Sequence, residues 1–413
     1  MYFESHFYLT PMKNASNVDG FKLKLVDLNR QHNLLRNELR SAFDTVLTRG
    51  RFILGEEVTK LEKEFAELHN CRHAVGVSNG TDALTLALKA LNIGPGAEVI
   101  IPAMTFFATA EAVCNVGATP VLADVDAETL GLDPARAEDA LTAATRAIIP
   151  VHLHGQPVCL GPFLQMAGDL DLMLVEDCAQ AHGATEDGHP VGSRSDAGCF
   201  SCFPAKNLGA LGDAGVVTTQ SQALAERVRA LANHGRSEKH ANNELGFNNR
   251  LDELQAAILN VKLPHLRAWN ERRRMLASRY TRCLGETPLI LPPVGDERRV
   301  PVFHLYVVRC QSRAERERLA AELRSGGIET GMHYPTPLHL QPALIYLGYG
   351  KGRFPISEHA AETMLSLPMF PEMREDEQDR VVESILAFFG TRAERIAPSS
   401  VEAAAVSVVP ATH

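Results

Sequence analysis

The sequence predicts an α/β fold built on a mostly parallel sheet. Three observations carry that reading. From about Leu25, short β-branched runs alternate with longer amphipathic segments; most of the runs are nearly continuous in apolar residues; and the helical patterns begin where strands end. Strands covered on both faces need apolar side chains on both, and helical crossovers return the chain to start a parallel neighbour. In order, the strand candidates are residues 73–77, 98–102, 119–125, 146–152, 171–176, 198–203 and 216–219. Helical patterns follow at 81–91, after Ser78-Asn79-Gly80, and at 105–116, after Pro102. A longer helical tract covers 250–280, with Leu251, Leu254, Ile258 and Val261 on one face and Pro264 placed to end or kink it. We expect this tract to link two domains. Beyond it, a strand at 303–309 and helices at 313–324 and 375–389 form a small α+β unit. The expected organisation is an N-terminal extension (1–24), a large α/β domain (25–250), a linking helical segment (251–285), a small C-terminal α+β domain (286–392) and a tail (393–413). Within the tail, 397–413 is rich in Ala, Val, Ser and Pro without periodicity and reads as disordered.

Composition narrows the function classes. A chain of 413 residues has room for two to three folding units and a large core. With 45% hydrophobic and 22% charged residues it is neither disordered throughout nor collagen-like. The net charge is −9, and the densest basic run, Arg272 to Arg274, is short, which argues against nucleic acid as a partner. No stretch approaches the roughly 18 to 20 apolar residues of a membrane span, and the N-terminus has no signal-peptide apolar run, so the expectation is a cytoplasmic protein without a membrane partner. Most of the eight cysteines sit in apolar runs, as reduced, buried thiols do. Cys199 and Cys202 form a CxxC, but the second pair of a zinc ribbon is missing. His152 and His154 would share a face on a continuous strand, yet Gly155 marks the strand's end and no further ligand stands nearby; no metal site is expected.

Lysine is the informative residue. There are ten against 31 arginines, and between Lys89 and Lys239 the only one is Lys206, in FSCFPAKNLGALGDAGV among apolar strands and glycines. A lone loop lysine usually snorkels to water, whereas a desolvated one has a lowered pKa and can form a Schiff base. Upstream, Leu172-Met173-Leu174-Val175 ends in Glu176-Asp177, which delivers a carboxylate at the C-terminal end of a parallel strand, where open α/β sheets bind ligands. Asp177 is either a helix cap or a partner for a pyridinium nitrogen. VSNGTDAL, residues 77–84, runs from strand into helix through N-cap residues that also suit a phosphate. GALGDAG is not GxGxxG and no GxxxxGK[ST] occurs, so the dinucleotide and P-loop fingerprints are absent. His333, Tyr334 and His339 in MHYPTPLHLQPA lie on a loop broken by prolines, either a substrate rim or a rigid turn.

Together these segments resemble the DegT/DnrJ/StrS family of sugar aminotransferases. The likeness runs from about Val26 to Leu386 through GEEVTKLEKEFAELH, VSNGTDALTLAL, IPAMTFFATAEAV, GATPVLADVD, IIPVHLHGQP, LVEDCAQAHGA, FSCFPAKNLGALGDAGVVTT, GFNNRLDELQAAIL, HYPTPLHLQPA and LSLPMFP. The resemblance implies a fold type I, aspartate aminotransferase-like pyridoxal phosphate enzyme with a mostly parallel seven-stranded sheet, the cofactor lying in the large domain. By position, Lys206 is similar to the Schiff-base lysine that also serves as general base and acid, Asp177 to the pyridinium partner and Gln180 to the residue near the phenolic oxygen. Ser201, Thr81 and the backbone at Gly80 and Asp82 resemble the phosphate cup, and Phe106 the ring that stacks on the pyridine. Asn248 resembles a residue reaching the phosphate from the second subunit of a homodimer. Relatives with His in place of the lysine are dehydratases, so Lys206 favours transamination. The implied reaction moves an amino group from glutamate, the family's usual donor, to the keto group of a nucleotide-linked sugar. HYPTPLHLQPA and KNLGALGDAG look more like the branch that aminates 3-keto sugars, with His333 and Tyr334 holding the substrate. The alternatives are a 4-keto nucleotide sugar or a keto-cyclitol as acceptor, a cofactor-binding regulator without turnover, and a Rossmann oxidoreductase, which the absent GxGxxG disfavours.

Overall fold

A computed structural model describes residues 21–238 and 241–390. Seven strands form the central sheet: β1 His73–Val77, β2 Glu98–Pro102, β3 Thr119–Ala123, β4 Thr145–Ile148, β5 Met173–Asp177, β6 Ala197–Ser201 and β7 Gly215–Thr219. Their order is β1-β7-β6-β5-β4-β2-β3, and β7 runs antiparallel to both neighbours while the other pairs are parallel. The C-terminal ends of β1, β5 and β6 therefore open on the same edge of the sheet. β1 and β2 coincide with the predicted spans. The fourth strand stops at Ile148 rather than at 152, because the chain turns into a short 3-10 segment at Leu153–Gly155 with His154 at φ +59°. His152 and His154 consequently do not share a strand face. The helix expected from 105 begins at Ala108, the residues before it forming the turn that brings Phe106 to the sheet's edge.

Helix Gly80–Ala90 buries most of its residues against the sheet, with Leu84, Leu86 and Leu88 at 2% exposure or less. The long helical tract is two helices, Glu253–Lys262 and Leu266–Leu284, separated by the turn Leu263–His265 that contains Pro264. Its first part packs in the large-domain core with Phe65, Phe200 and Leu208. Its second part sends Leu276, Ala277, Tyr280 and Leu284 into a separate core with Tyr306, Leu319, Leu367 and Val381. That second core belongs to an antiparallel pair, Tyr306–Arg309 with Met364–Leu367, covered by helices Arg313–Ser325 and Glu375–Phe389. Leu23 is buried in the same core and bridges to Ile328. Several hydrogen bonds tie the two parts together near the sheet edge. His154 Nε2 donates to the His333 carbonyl at 2.8 Å, Gln180 Nε2 to the Tyr334 hydroxyl at 3.0 Å and Leu338 N–H to the Ala103 carbonyl at 2.8 Å. Asp124 accepts from the backbone of Ile356 and Ser357 at the start of helix Pro355–Thr363.

All eight cysteines are free thiols. No helix among the described residues is long and apolar enough to cross a membrane. The expected disordered stretch at 397–413 lies outside the described residues.

Candidate functional site

The site assembles at the C-terminal ends of β1, β5 and β6. Asp177, the last residue of β5, is 5% exposed, and its carboxylate accepts from Thr109 Oγ1 at 2.8 Å and from the Ala179 N–H at 3.1 Å. Burial raises its pKa from the usual carboxylate value; those two donors and the Lys206 ammonium pull the other way. Lys206 lies on the loop after β6, where its own N–H closes a turn on the Phe203 carbonyl at 2.8 Å. Its side chain keeps some open surface but is closely packed round. Desolvation lowers its pKa to about 8, opposed by the charge of Asp177. The Lys206 amine has no hydrogen-bond partner among the described residues. Around it His154 and His333 are held at about 4 and His304 well below its ordinary value, in each case by burial first, so these imidazoles are neutral at pH 7 and bring no competing cation.

Gln180 is buried between two partners: its Oε1 accepts from the His154 N–H at 2.6 Å and its Nε2 donates to Tyr334. The Tyr334 ring lies 5.4 Å from that of Phe106, which is 54% exposed at the edge of the site. Ser201 ends β6 directly against Gly80; a Cβ on residue 80 would sit 2.5 Å from Ser201 Cβ. Likewise a Cβ on Gly215 would meet the Asn79 carbonyl at 2.4 Å, so two glycines allow β6, β7 and the helix start to converge. Gly80 and Thr81 open helix Gly80–Ala90, and their N–H groups lie in its unpaired first turn. Asp82 departs from expectation. Its N–H already donates to Asn79 Oδ1 at 2.8 Å and its carboxylate accepts from Ser78 Oγ and Asn79 Nδ2, so Asp82 shapes the turn rather than offering a free donor.

The remaining candidates divide. His333 joins the site loop, with Nδ1 2.9 Å from Ser366 Oγ. His339 is a turn residue: it is buried, and its Nε2 meets Glu358 at 2.9 Å. Asn248 is exposed, and its Oδ1 accepts from Arg250; the neighbouring Asn249 carbonyl accepts from the Ser78 N–H at 3.0 Å, which brings this segment beside the helix start. His152, Glu176 and Cys178 group their side-chain ligand atoms within 4.8 Å of one another. His152 Nε2 is spent on Glu176 and its Nδ1 on the Val158 N–H, while Glu176 also accepts from Gly192 N–H and Ser195 Oγ. With those atoms engaged, the group is a polar fastening beneath β5. Cys202 faces His182 Nε2 at 3.9 Å, and burial pushes its thiol up to about 12.

Thr109 and Asn207 escaped the sequence reading, and His154 was weighed there only as a metal ligand. Thr109 grips Asp177 from a helix 68 positions earlier. His154 joins Gln180 to the His333 carbonyl, and Asn207 anchors the lysine loop through Asn270 and the Val302 carbonyl. Nothing in their sequence neighbourhoods announces these contacts.

The residues fit a pyridoxal phosphate: an unpartnered amine of lowered pKa, a buried carboxylate at a strand end, and an open helix start cradled by Ser201. Residues 33–386 match the profile of the DegT/DnrJ/EryC1/StrS aminotransferase family. The chain is 46% identical over 367 residues to the "Pleiotropic regulatory protein" of Geobacillus stearothermophilus, covering 88% of this chain and 98% of that one. It is 44% identical over 365 residues to the UDP-N-acetyl-3-dehydro-alpha-D-glucosamine 3-aminotransferase of Acidithiobacillus ferrooxidans, covering 88% and 97%. Among solved structures, S. venezuelae DesV in complex with a ketimine intermediate superposes with a TM-score of 0.87 at 41% identity, covering 91% of this chain and 99% of that chain.

Proposed function

The chain belongs to the DegT/DnrJ/EryC1/StrS aminotransferase family and is a pyridoxal phosphate-dependent sugar aminotransferase, and we propose that it moves the amino group of L-glutamate to the C3 keto group of a nucleotide-linked sugar. The observation that carries the chemistry is the unpartnered Lys206 amine, lowered to about 8, within electrostatic reach of buried Asp177. The choice of C3 is supported by the 44% identical relative named for a 3-dehydro sugar.

Bound pyridoxal phosphate supplies an aldehyde to accept the amino group and a ring to draw electron density from the carbon that loses its proton. Lys206 would hold the cofactor covalently and, once released, would carry a proton from the donor's Cα to the cofactor's C4′; a pKa near 8 would let it both take and give that proton near neutral pH. Asp177 keeps the ring nitrogen protonated, with Thr109 and Ala179 holding its carboxylate in place. Ser201, Thr81 and the N–H of Gly80 hold the phosphate at the positive end of the helix. Gln180 would meet the phenolic oxygen, Phe106 would cover the ring, and His333 and Tyr334 would position the sugar. The active unit is a homodimer in which Asn248 of the second copy reaches the phosphate. Exposed Phe43, Leu47, Phe52 and Ile53 offer an apolar surface that such an arrangement would cover.

The test is to supply glutamate with matched 3-keto and 4-keto nucleotide sugars and locate the new amine by NMR. Clear preference for the 4-keto sugar, or for a keto-cyclitol, overturns the C3 assignment. The relative named as a regulatory protein motivates a second reading, cofactor binding without turnover; formation of 2-oxoglutarate from glutamate excludes it.

A further inference from the structure

A second lysine, Lys262, is fully buried, at 0% exposure, on the last turn of helix Glu253–Lys262. Burial lowers its pKa to about 8, as for Lys206, yet the two amines differ in their surroundings. Lys262 Nζ donates to the Gly209 carbonyl at 2.7 Å and lies 3.2 Å from His32 Nε2, whereas the Lys206 amine has no hydrogen-bond partner among the described residues. Gly209 is three residues beyond Lys206 and leaves no latitude in the turn, since a Cβ there would meet the Pro204 carbonyl at 2.2 Å. Two further fastenings of the loop come from the same helical tract, beside the one that Asn207 makes to the Val302 carbonyl. Gln255 Oε1 accepts from the Leu211 N–H at 2.9 Å, and Asn270 Oδ1 accepts from Asn207 Nδ2 at 2.9 Å. Gln255 and Lys262 stand seven residues apart, about two turns, on the first helix, and Asn270 lies on the second helix beyond the Pro264 turn, so the hydrogen bonds themselves line the three up as a polar row facing the loop. The row grips the lysine loop just after residue 206 at its start, middle and end.

We propose that Lys262 is a positioning residue that fixes Lys206 by clamping the Gly209 carbonyl, at the centre of a row formed with Gln255 and Asn270. A buried carbonyl that loses a charged donor must find water or shift, and a loop that admits water also hydrates the Lys206 amine. Lys262 itself carries no cofactor, its amine being engaged and closed off from solvent. The inference rests on Lys206 being the cofactor's lysine.

The experiment compares wild type, Lys262→Met, which keeps the length of the stem without the donor, and Lys262→Arg, which restores a donor. Two readouts other than activity are used: pyridoxal phosphate affinity by spectral titration, and the pH midpoint at which the apo protein's Lys206 reacts with an acylating reagent, followed by peptide mass spectrometry. Lys262→Met is expected to weaken the cofactor about ten-fold and move the Lys206 midpoint upward, with partial recovery in Lys262→Arg. If Lys262→Met does not fold, Gln255→Ala, at the half-buried end of the row, is expected to show the same two shifts in smaller measure. A folded Lys262→Met protein with affinity within two-fold of wild type and an unmoved midpoint overturns the proposal; so does an unmoved Gln255→Ala where that variant stands in. Borohydride reduction of the wild type separates the two failures. A reduced linkage on a lysine other than Lys206 refutes the functional reading itself, while one on Lys206 with unmoved variants refutes only the role of Lys262.

Discussion

Replacing Thr109 by Val tests whether Asp177 must be held ionised. The threonine is buried, and its hydroxyl donates to Asp177 Oδ2 at 2.8 Å while lying 3.1 Å from Thr105 Oγ1. Valine keeps the branched shape, so no cavity opens, and the Ala179 N–H still serves the other oxygen. What disappears is one hydrogen bond to a charged acceptor, a contribution of about 1.5 to 3 kcal/mol when such a group is buried. Because the Ala179 N–H remains on the carboxylate, the lower half of that range is the better expectation, corresponding to cofactor binding about ten- to forty-fold weaker. The pH dependence has a definite sign. Burial already raises the Asp177 pKa, and removing a donor that favours the carboxylate raises it further, so cofactor binding by the variant should fail at a higher pH than in wild type as the solution is acidified. Spectral titration of the apo protein with pyridoxal phosphate between about pH 6 and pH 8 measures both effects, and Thr109→Ser, which keeps the hydroxyl, should restore most of the affinity. Equal affinity in Thr109→Val and wild type throughout that range would refute the reasoning, since Asp177 would then need no help to remain charged.

In the apo protein, acylation of Lys206 should turn on with a midpoint near 8 rather than 10.5; because the folded state disfavours the protonated amine, the same group makes the apo fold more stable as pH rises through that interval, and a midpoint above 10 would contradict the burial argument. Mixing Lys206→Ala subunits with subunits carrying a damaging Asn248 substitution should regenerate one intact site per heterodimer, and verified heterodimers without activity would mean that each site is built within one chain. Glu253 accepts from the N–H groups of Gly55, Glu57 and Val58 and so caps helix Glu56–Leu68 from another helix; Glu253→Ala should cost about 2 to 4 kcal/mol, visible as a clear drop in Tm, and an unchanged Tm would show the cap to be dispensable.

The seven strands of the central sheet and the helices Gly80–Ala90, Arg313–Ser325 and Glu375–Phe389 were legible because each is specified locally, whereas helices such as Glu56–Leu68, Gly161–Leu170 and Gln222–Ala232 were not read from the sequence. His73–Val77 and Glu98–Pro102 are bounded by the residues that end them, and Glu375–Phe389 carries its apolar period and acidic first turn within its own fifteen residues. Where the reading ran long, at 146–152, a position with φ +59° at His154 had turned the chain, and a histidine does not advertise that conformation as a glycine would. The same divide runs through the site. Lys206 stands out by its scarcity and Asp177 by its place at the end of an apolar run, both properties of the nearby sequence. Asp82 was placed in the phosphate cup by the resemblance alone, and its competing acceptor, Asn79, only comes into range once the turn has formed.

What sequence could not supply is the support for those groups. The hydroxyl that steadies Asp177 is 68 residues away, the amide that meets Tyr334 is 154 away, and the ammonium that clamps Gly209 is 53 away. Each pair involves residue types common elsewhere in the chain, and the fold alone brings them together. A reactive lysine must be left without partners so that its amine can react, so its position has to be enforced through the backbone on either side of it. In this chain that task falls to Asn207, Gly209 and Leu211, each held by a side chain of the helical tract that also joins the two cores. The tract read from its apolar face as a linker therefore has a second face, polar and turned to the loop. Its polar spacing, hidden among ordinary helix-forming residues, is what couples the packing of the domains to the placement of one amine.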